Sequence, residues 1–282
     1  MPPLMHVRSD GWEASVPLTI AFVFIALVYV RGWRRLHSTP LHTISTRRAS
    51  GFLLGLLLMW TAVASPLAAY HADLLTVHMV QHLLLMSLAP PLVWLGEPAR
   101  ALLHGLPRRV AHSMVAPVFR WTSLQRLGRL LGQPAVCWLA ATVALVGWHV
   151  PAALTLAMQS QTWHAIEYAS FLVTGLLFWW PVIQPWPAVT EPRWSMVLYL
   201  FLATLPCDAL AGFLLFSERV AYPVYLSAPR SSGFSVLGDQ QYAAALMWTA
   251  VTIIYLVAAA VVAMRLLSGA RVPSTNPRTM VA

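Results

Sequence analysis

Three histidines, His71, His78 and His82, lie inside or at the edge of one apolar stretch, Asp73 to Leu95, long enough to cross a bilayer as a helix. An imidazole at membrane depth is costly to bury and needs partners, so it marks a functional site by default. At 100° per residue the three rings fall within about 40° of one another around a helix and form one stripe. His78 and His82, at i and i+4, sit one turn apart and can share an ion. The intervening Met79-Val80-Gln81 lacks the Glu of the H-E-x-x-H protease helix, leaving ligand spacing without that motif's general base. These residues point to a transition-metal or haem site.

The elements that must hold such a site follow from composition. Of 282 residues, 59% are hydrophobic and 10% charged, against roughly a quarter charged in a soluble domain. That is the composition of an all-α polytopic membrane bundle, one domain over 1–282. Seven stretches are long and apolar enough to span, about 16–34, 51–69, 73–95, 134–154, 163–183, 194–216 and 241–266. The net charge of +9 comes entirely from arginine. Fifteen of the eighteen arginines fall in alternate connections and only Arg8, Arg219 and Arg230 in the others. This is the positive-inside pattern, and it predicts an outer N-terminus and a cytoplasmic C-terminus. No continuous basic face suits nucleic acid. Segment 97–133, apolar with interspersed Arg, predicts short helices lying on the inner leaflet in contact with membrane lipids. No cleavable leader is expected before the first span. Cys137 and Cys207 are too few for a disulfide framework. Pro90-Pro91 should kink or end the third span. Trp148, Trp163, Trp179, Trp180 and Trp186 suit the interface near span ends.

With that orientation, a rise of 1.5 Å per residue gives depths. His78 lies roughly 10 Å below His71, and His82 about 6 Å deeper. His149, His164 and Glu167 fall at outer span ends, the last two on one face. Asp208 lies about 12 Å below the outer end of the sixth span. Two layers result: a shallow one of His71, His149, His164 and Glu167, and a deep one of His78, His82 and Asp208. The arrangement suggests a metal route from the outer face to a site inside the bundle. Imidazole suits copper, zinc and iron, while thioether and thiol favour Cu(I). Met79, Met86, Cys207 and Met247 near the stripe lean the choice to copper. The plainer readings are neutral histidines hydrogen-bonded between helices, interfacial imidazoles at span ends, and methionines as core filler. A lone carboxylate at the depth of Asp208 must be paired or protonated.

The run His78-Met79-Val80-Gln81-His82-Leu83-Leu84-Leu85-Met86, through Ala89-Pro90-Pro91-Leu92 to Leu95-Gly96-Glu97-Pro98, resembles the hallmark of the CtaG-type cytochrome c oxidase assembly factors. Trp148-His149-Val150-Pro151, His164-Ala165-Ile166-Glu167, Phe178-Trp179-Trp180-Pro181 and Asp239-Gln240 with Met247-Trp248 match the same pattern in order. Ala243-Ala244-Ala245 departs from it, standing where glycine is expected. The resemblance implies a multi-pass protein of the bacterial plasma membrane that helps mature a haem–copper oxidase. The implied partners are the oxidase subunits and the implied cargo is copper, as for a metallochaperone. His78, His82, His149, His164, Glu167 and Asp239 occupy motif positions; Asp208 and Cys207 come from depth alone.

Three function classes follow. The first is a non-enzymatic, copper-binding assembly factor with no catalytic residues. The second is a zinc-dependent membrane hydrolase, which needs about three protein ligands, an open position and an acid–base group. The third is a haem protein with two imidazole ligands, such as His82 with His149. A retinal receptor is excluded because there is no lysine for the Schiff base.

Overall fold

A computed structural model describes residues 7–38, 44–107, 109, 128, 130–183, 194–228, 233 and 235–269. Every regular element among them is helical. In chain order these are α1 (Val7–His37), α2 (Thr46–Val63), a 3₁₀ turn (Pro66–Tyr70), α3 (Leu75–Leu83), a π turn (Leu84–Leu88), α4 (Ala89–Leu95), α5 (Pro98–Gly105), α6 (Pro134–Trp148), α7 (Pro151–Gln159), α8 (Gln161–Ile183), α9 (Trp194–Phe216), a second 3₁₀ turn (Pro223–Ser227) and α10 (Val236–Gly269). Six helical runs are long and apolar enough to cross a membrane, or seven if the bent pair α6–α7 is one span. The 110–127 part of the expected leaflet segment, Trp186, and the arginines at 108, 120, 126, 129, 193, 230, 271 and 278 lie outside the described residues.

The third apolar stretch carries the histidines and is the most enclosed, with 61% of its span window buried against 17–33% for the other spans. It runs through α3, the π turn and α4 without ending at Pro90-Pro91, so of the kink or end expected there the end does not occur. The backbone instead takes a wider turn before the prolines. Pro90 has no N–H to offer the Met86 carbonyl, and the indole Nε1–H of Trp179 donates to that oxygen at 3.3 Å. Trp179, expected at the interface, is therefore a core residue only 3% exposed.

The fourth stretch is not a straight span. It breaks at His149–Val150, where Pro151 opens α7 and the chain bends by 75°. One core gathers α3, α6, α8, α9 and α10 around Met79, Phe171, Phe178, Leu200 and Met247. A smaller one joins α1, α2 and α5 around Tyr29, which stacks on Phe52 at 3.8 Å. Outward faces are apolar, as at Phe24, Leu27, Phe213, Phe216 and Ile253, a surface suited to acyl chains rather than water.

Candidate metal centre

The start of α3 is held from another helix. Asp239, in the first turn of α10, accepts from the N–H of Leu75 at 2.6 Å, the N–H of Thr76 at 3.2 Å and the Thr76 hydroxyl at 2.5 Å. Leu74, at the cap position itself, supplies no side-chain bond. A carboxylate on these otherwise unpaired N–H groups fixes where the helix begins and opposes its dipole. Gln240 does similar work nearby, donating to Leu214 O and Arg219 O and accepting from Ala221 N–H. The Asp239-Gln240 motif is thus a clamp on the helix ends rather than part of the site.

Gly175 sets the register of α8. A Cβ there would stand 2.8 Å from both Cα and O of Met86, so only glycine allows α8 to touch the π turn backbone to backbone. Contacts then rise together along both helices, from His78–Glu167 through Gln81–Tyr168 to Trp94–Leu176, so the two run parallel. Eight residues before Met86 is His78, and eight before Gly175 is Glu167; equal rise on parallel helices puts them level.

Glu167 Oε1 lies 3.3 Å from His78 Nε2 and 3.2 Å from His82 Nε2. Glu167 and His78 have no solvent exposure and His82 has 5%. One donor atom from each of the three lies within 4.8 Å of the others. Glu167 Oε2, His78 Nδ1 and His82 Nδ1 are buried without a hydrogen-bond partner, and His82 Nε2 has only the Glu167 contact. Buried polar atoms are almost always paired, so this cluster is chemically unfinished. The two carboxylate–imidazole distances, 3.2 and 3.3 Å, match the edge of a tetrahedron with bonds near 2.0–2.1 Å, about 3.3 Å. The residues fit a bound divalent or monovalent transition-metal ion.

Gln81, between the two histidines, is fully buried. Its Nε2 donates to Ala62 O at 2.7 Å and its Oε1 accepts from the Tyr168 hydroxyl at 2.6 Å, tying α3 to α2 and α8 one residue from His82. Neither Gln81 nor Tyr168 was singled out from the sequence as a site residue. The signal available was an amide flanked by the paired histidines on a buried stripe.

The remaining expected ligands divide. His149 caps α6, and its Nδ1 meets Leu145 O at 2.7 Å. A carbonyl can only accept, so Nδ1 carries the proton and Nε2, buried and unpartnered, keeps its lone pair. Its ring is 5.9 Å from that of His82. His164 stacks on His71 at 4.2 Å, and its ring is 5.8 Å from His78. His71 lies in the turn before α3, so helical phase does not place it; Nδ1 meets Ala68 O at 2.5 Å. Burial is the main cause of its lowered pKa, which keeps it neutral near pH 7. The two expected layers are corrected accordingly. Glu167 and His149 join the deep pair: α8 is held level with α3, and the His149 ring, at the end of α6, lies 5.9 Å from that of His82. Asp208 is not brought to the cluster: half-buried on α9, it accepts from the Thr252 hydroxyl of α10 at 3.3 Å.

The segment after α9 reaches back to this region. The Tyr222 hydroxyl donates to His149 O and the Tyr225 hydroxyl to His71 O, each at 3.1 Å. Burial raises both phenol pKa values, so these donors keep their protons.

Among curated proteins, the chain is 23% identical over 262 residues to the uncharacterized protein Mb0105 of Mycobacterium bovis and equally to the uncharacterized protein MT0111 of Mycobacterium tuberculosis. In each case the alignment covers 88% of this chain but 38% of the relative, so the chain spans well under half the length of these proteins. No solved structure matches it. The family model for the cytochrome c oxidase caa3 assembly factor matches residues 27–268, nearly the whole bundle and all the histidines above, and the chain belongs to that family.

Proposed function

We propose that this protein is a non-enzymatic oxidase assembly factor that takes up copper at His78, His82 and Glu167 and assists its delivery to a haem–copper oxidase. The observation that carries the reading is the buried cluster itself: two imidazoles and a carboxylate converge with unpaired donor atoms, inside a chain of an oxidase assembly family. Copper here is cargo. The imidazoles of His71 and His164 supply stepping points to the centre, with ring separations of 4.2 Å and then 5.8 Å to His78. The arginine distribution supports an arrangement in which these histidines face the outer side of a bacterial plasma membrane and both His104 and the chain's C-terminal end face the cytoplasm. The oxidase subunits are the partners of this reading, and lipid surrounds the apolar faces.

The test is metal content of the detergent-solubilised chain after anaerobic Cu(I) loading and desalting, beside His78→Ala/His82→Ala. Retained copper that the variant loses, together with lower oxidase activity on deletion in the native host, is the expected result. Equal copper in both proteins would overturn the site. Normal oxidase activity and copper content in the deletion strain would overturn the role.

A zinc-dependent hydrolase is the second reading, favoured by one observation: two histidines and a glutamate are a donor set that hydrolytic zinc uses. Tightly held zinc with turnover of an ester or amide substrate would replace the copper reading.

A further inference from the structure

Next to the His/Glu cluster is a cavity of about 30 Å³ bounded by His82, His149, Met79, Met86, Cys207 and Met247. That is room enough for an ion or a few waters. These walls come from separate parts of the bundle: α3, the π turn, the end of α6, α9 and α10. All six side chains are buried, none more than 8% exposed.

Methionine is ordinarily the residue that fills an irregular gap, because its thioether chain is long and flexible. Here three methionines and a cysteine border a gap that they leave open, although protein interiors pack with few such voids. Ser87, Thr142, Tyr255 and Trp138 also line the cavity, but its sulfurs are weak hydrogen-bond partners and better suited to a soft ion than to water. The Cys207 thiol reaches only Met247 O, at 4.0 Å. Two imidazoles on the wall carry buried nitrogens without partners: His149 Nε2, whose lone pair is free because Nδ1 donates to Leu145 O, and His82 Nδ1. Thiolate and imidazole also suit zinc, but thioether sulfur is absent from zinc's usual ligands and favours Cu(I), so the methionines tilt this donor set to monovalent copper.

We propose that this cavity is a second metal site, specific for a soft monovalent cation and so for Cu(I), held by the sulfurs of Met86, Met247 and Cys207 with His149 Nε2. Cys207 ligates as the thiolate, releasing its thiol proton as the ion binds. The proposal deepens the copper reading and rests on it for the identity of the cargo. His82 borders both sites, so an ion at the His/Glu cluster is one side chain away from the sulfur cavity.

The experiment uses the full chain in detergent, with Ag(I) as a monovalent probe that needs no reductant and Co(II) as a divalent probe of the His/Glu cluster. Wild type should hold an Ag(I) equivalent that Met86→Leu/Met247→Leu/Cys207→Ser lacks, with Co(II) binding equal in both. X-ray absorption of the Cu(I)-loaded protein should show sulfur neighbours in wild type and none in the variant. Unchanged Ag(I) in the variant, or only nitrogen and oxygen around Cu(I) in wild type, would overturn the proposal. His78→Ala separates the two sites: it should lose Co(II) and keep the Ag(I) equivalent. Retained Co(II) in His78→Ala beside lost Ag(I) in the sulfur variant would sink the His/Glu cluster and leave the cavity site standing. If the triple variant also loses Co(II), the volume-conserving Met247→Leu decides. It should weaken Ag(I) by about tenfold or more with Co(II) intact, and no weakening overturns the site.

Discussion

A carboxylate with no exposure, inside an apolar bundle, must be compensated, because burying an unpaired charge costs far more than a hydrogen bond returns. Among the described residues, the ion-pair partners of Glu167 are His78 and His82 alone; no arginine reaches it. A cation bound as proposed would complete that balance. Glu167→Gln preserves the shape and removes the charge and one donor oxygen. Co(II) affinity should fall by at least about tenfold, roughly 1.4 kcal/mol, read from the visible absorption of bound Co(II) during titration; unaltered affinity would remove Glu167 from the ligand set. Much of this was legible in the residues. The i, i+4 spacing of His78 and His82 and the apolar stretch around them define the stripe. That Glu167 meets both histidines was not, because the level of α8 depends on Gly175, whose role lies in a contact made 89 positions away along the chain. Asp208 misled for the converse reason: depth along a helix says nothing about which way the residue faces, and Thr252 takes its carboxylate.

Among the elements, the π turn and the helix crossing it decide the geometry. Pro90 frees the Met86 carbonyl, Trp179 occupies it, and Gly175 lets α8 lie against the widened turn. Gly175→Ala would place its Cβ 2.8 Å from backbone atoms of Met86. Backbone cannot yield as a side chain does, so the substitution should cost about 1–3 kcal/mol and lower the melting temperature together with Co(II) retention. Gly147→Ala is the control, since a Cβ there meets nothing within 4 Å and alanine suits a helix better than glycine; its melting temperature should hold or rise. An equal loss in both variants would mean that Gly175 matters for helix flexibility rather than for close approach. Hydropathy made the spans visible but not the break at His149. A proline two residues after a histidine marks a possible boundary, while the 75° bend depends on how α7 packs against α8. The capping by Asp239 was equally hidden, because its partners lie 163 and 164 positions away in the chain.

For the molecule as a whole, the arrangement has two ends with different chemistry. At one, Tyr222 and Tyr225 tie the segment after α9 to the corners that carry His71 and His149, while from α10 Gln240 holds Ala221 of that segment and Asp239 caps the start of α3. At the other, Glu97 sits in a left-handed turn with φ 49° and accepts from Arg48 and, at 2.9 Å, from Arg100, while the Tyr29 hydroxyl donates to Gly96 O. The hallmark run from His78 to Pro98 therefore combines the segment that carries the His/Glu cluster with a structural corner at the arginine-rich end. If arginines mark the cytoplasmic side, the Tyr-rich end and its histidines face outward, where a copper-receiving oxidase domain could be met. Site-directed labelling tests that polarity. Cys137 and Cys207 are buried, at 0% and 2% exposure, so they provide little background. Ser227, exposed in the Tyr-rich segment, and His104, exposed at the end of α5, are suitable positions at opposite ends. In intact cells of the native host, a membrane-impermeant maleimide should label Ser227→Cys and spare His104→Cys, which should react only after the membrane is opened. The reverse pattern would turn the bundle over, put the His71–His164 step on the cytoplasmic side, and require copper to be taken from inside the cell.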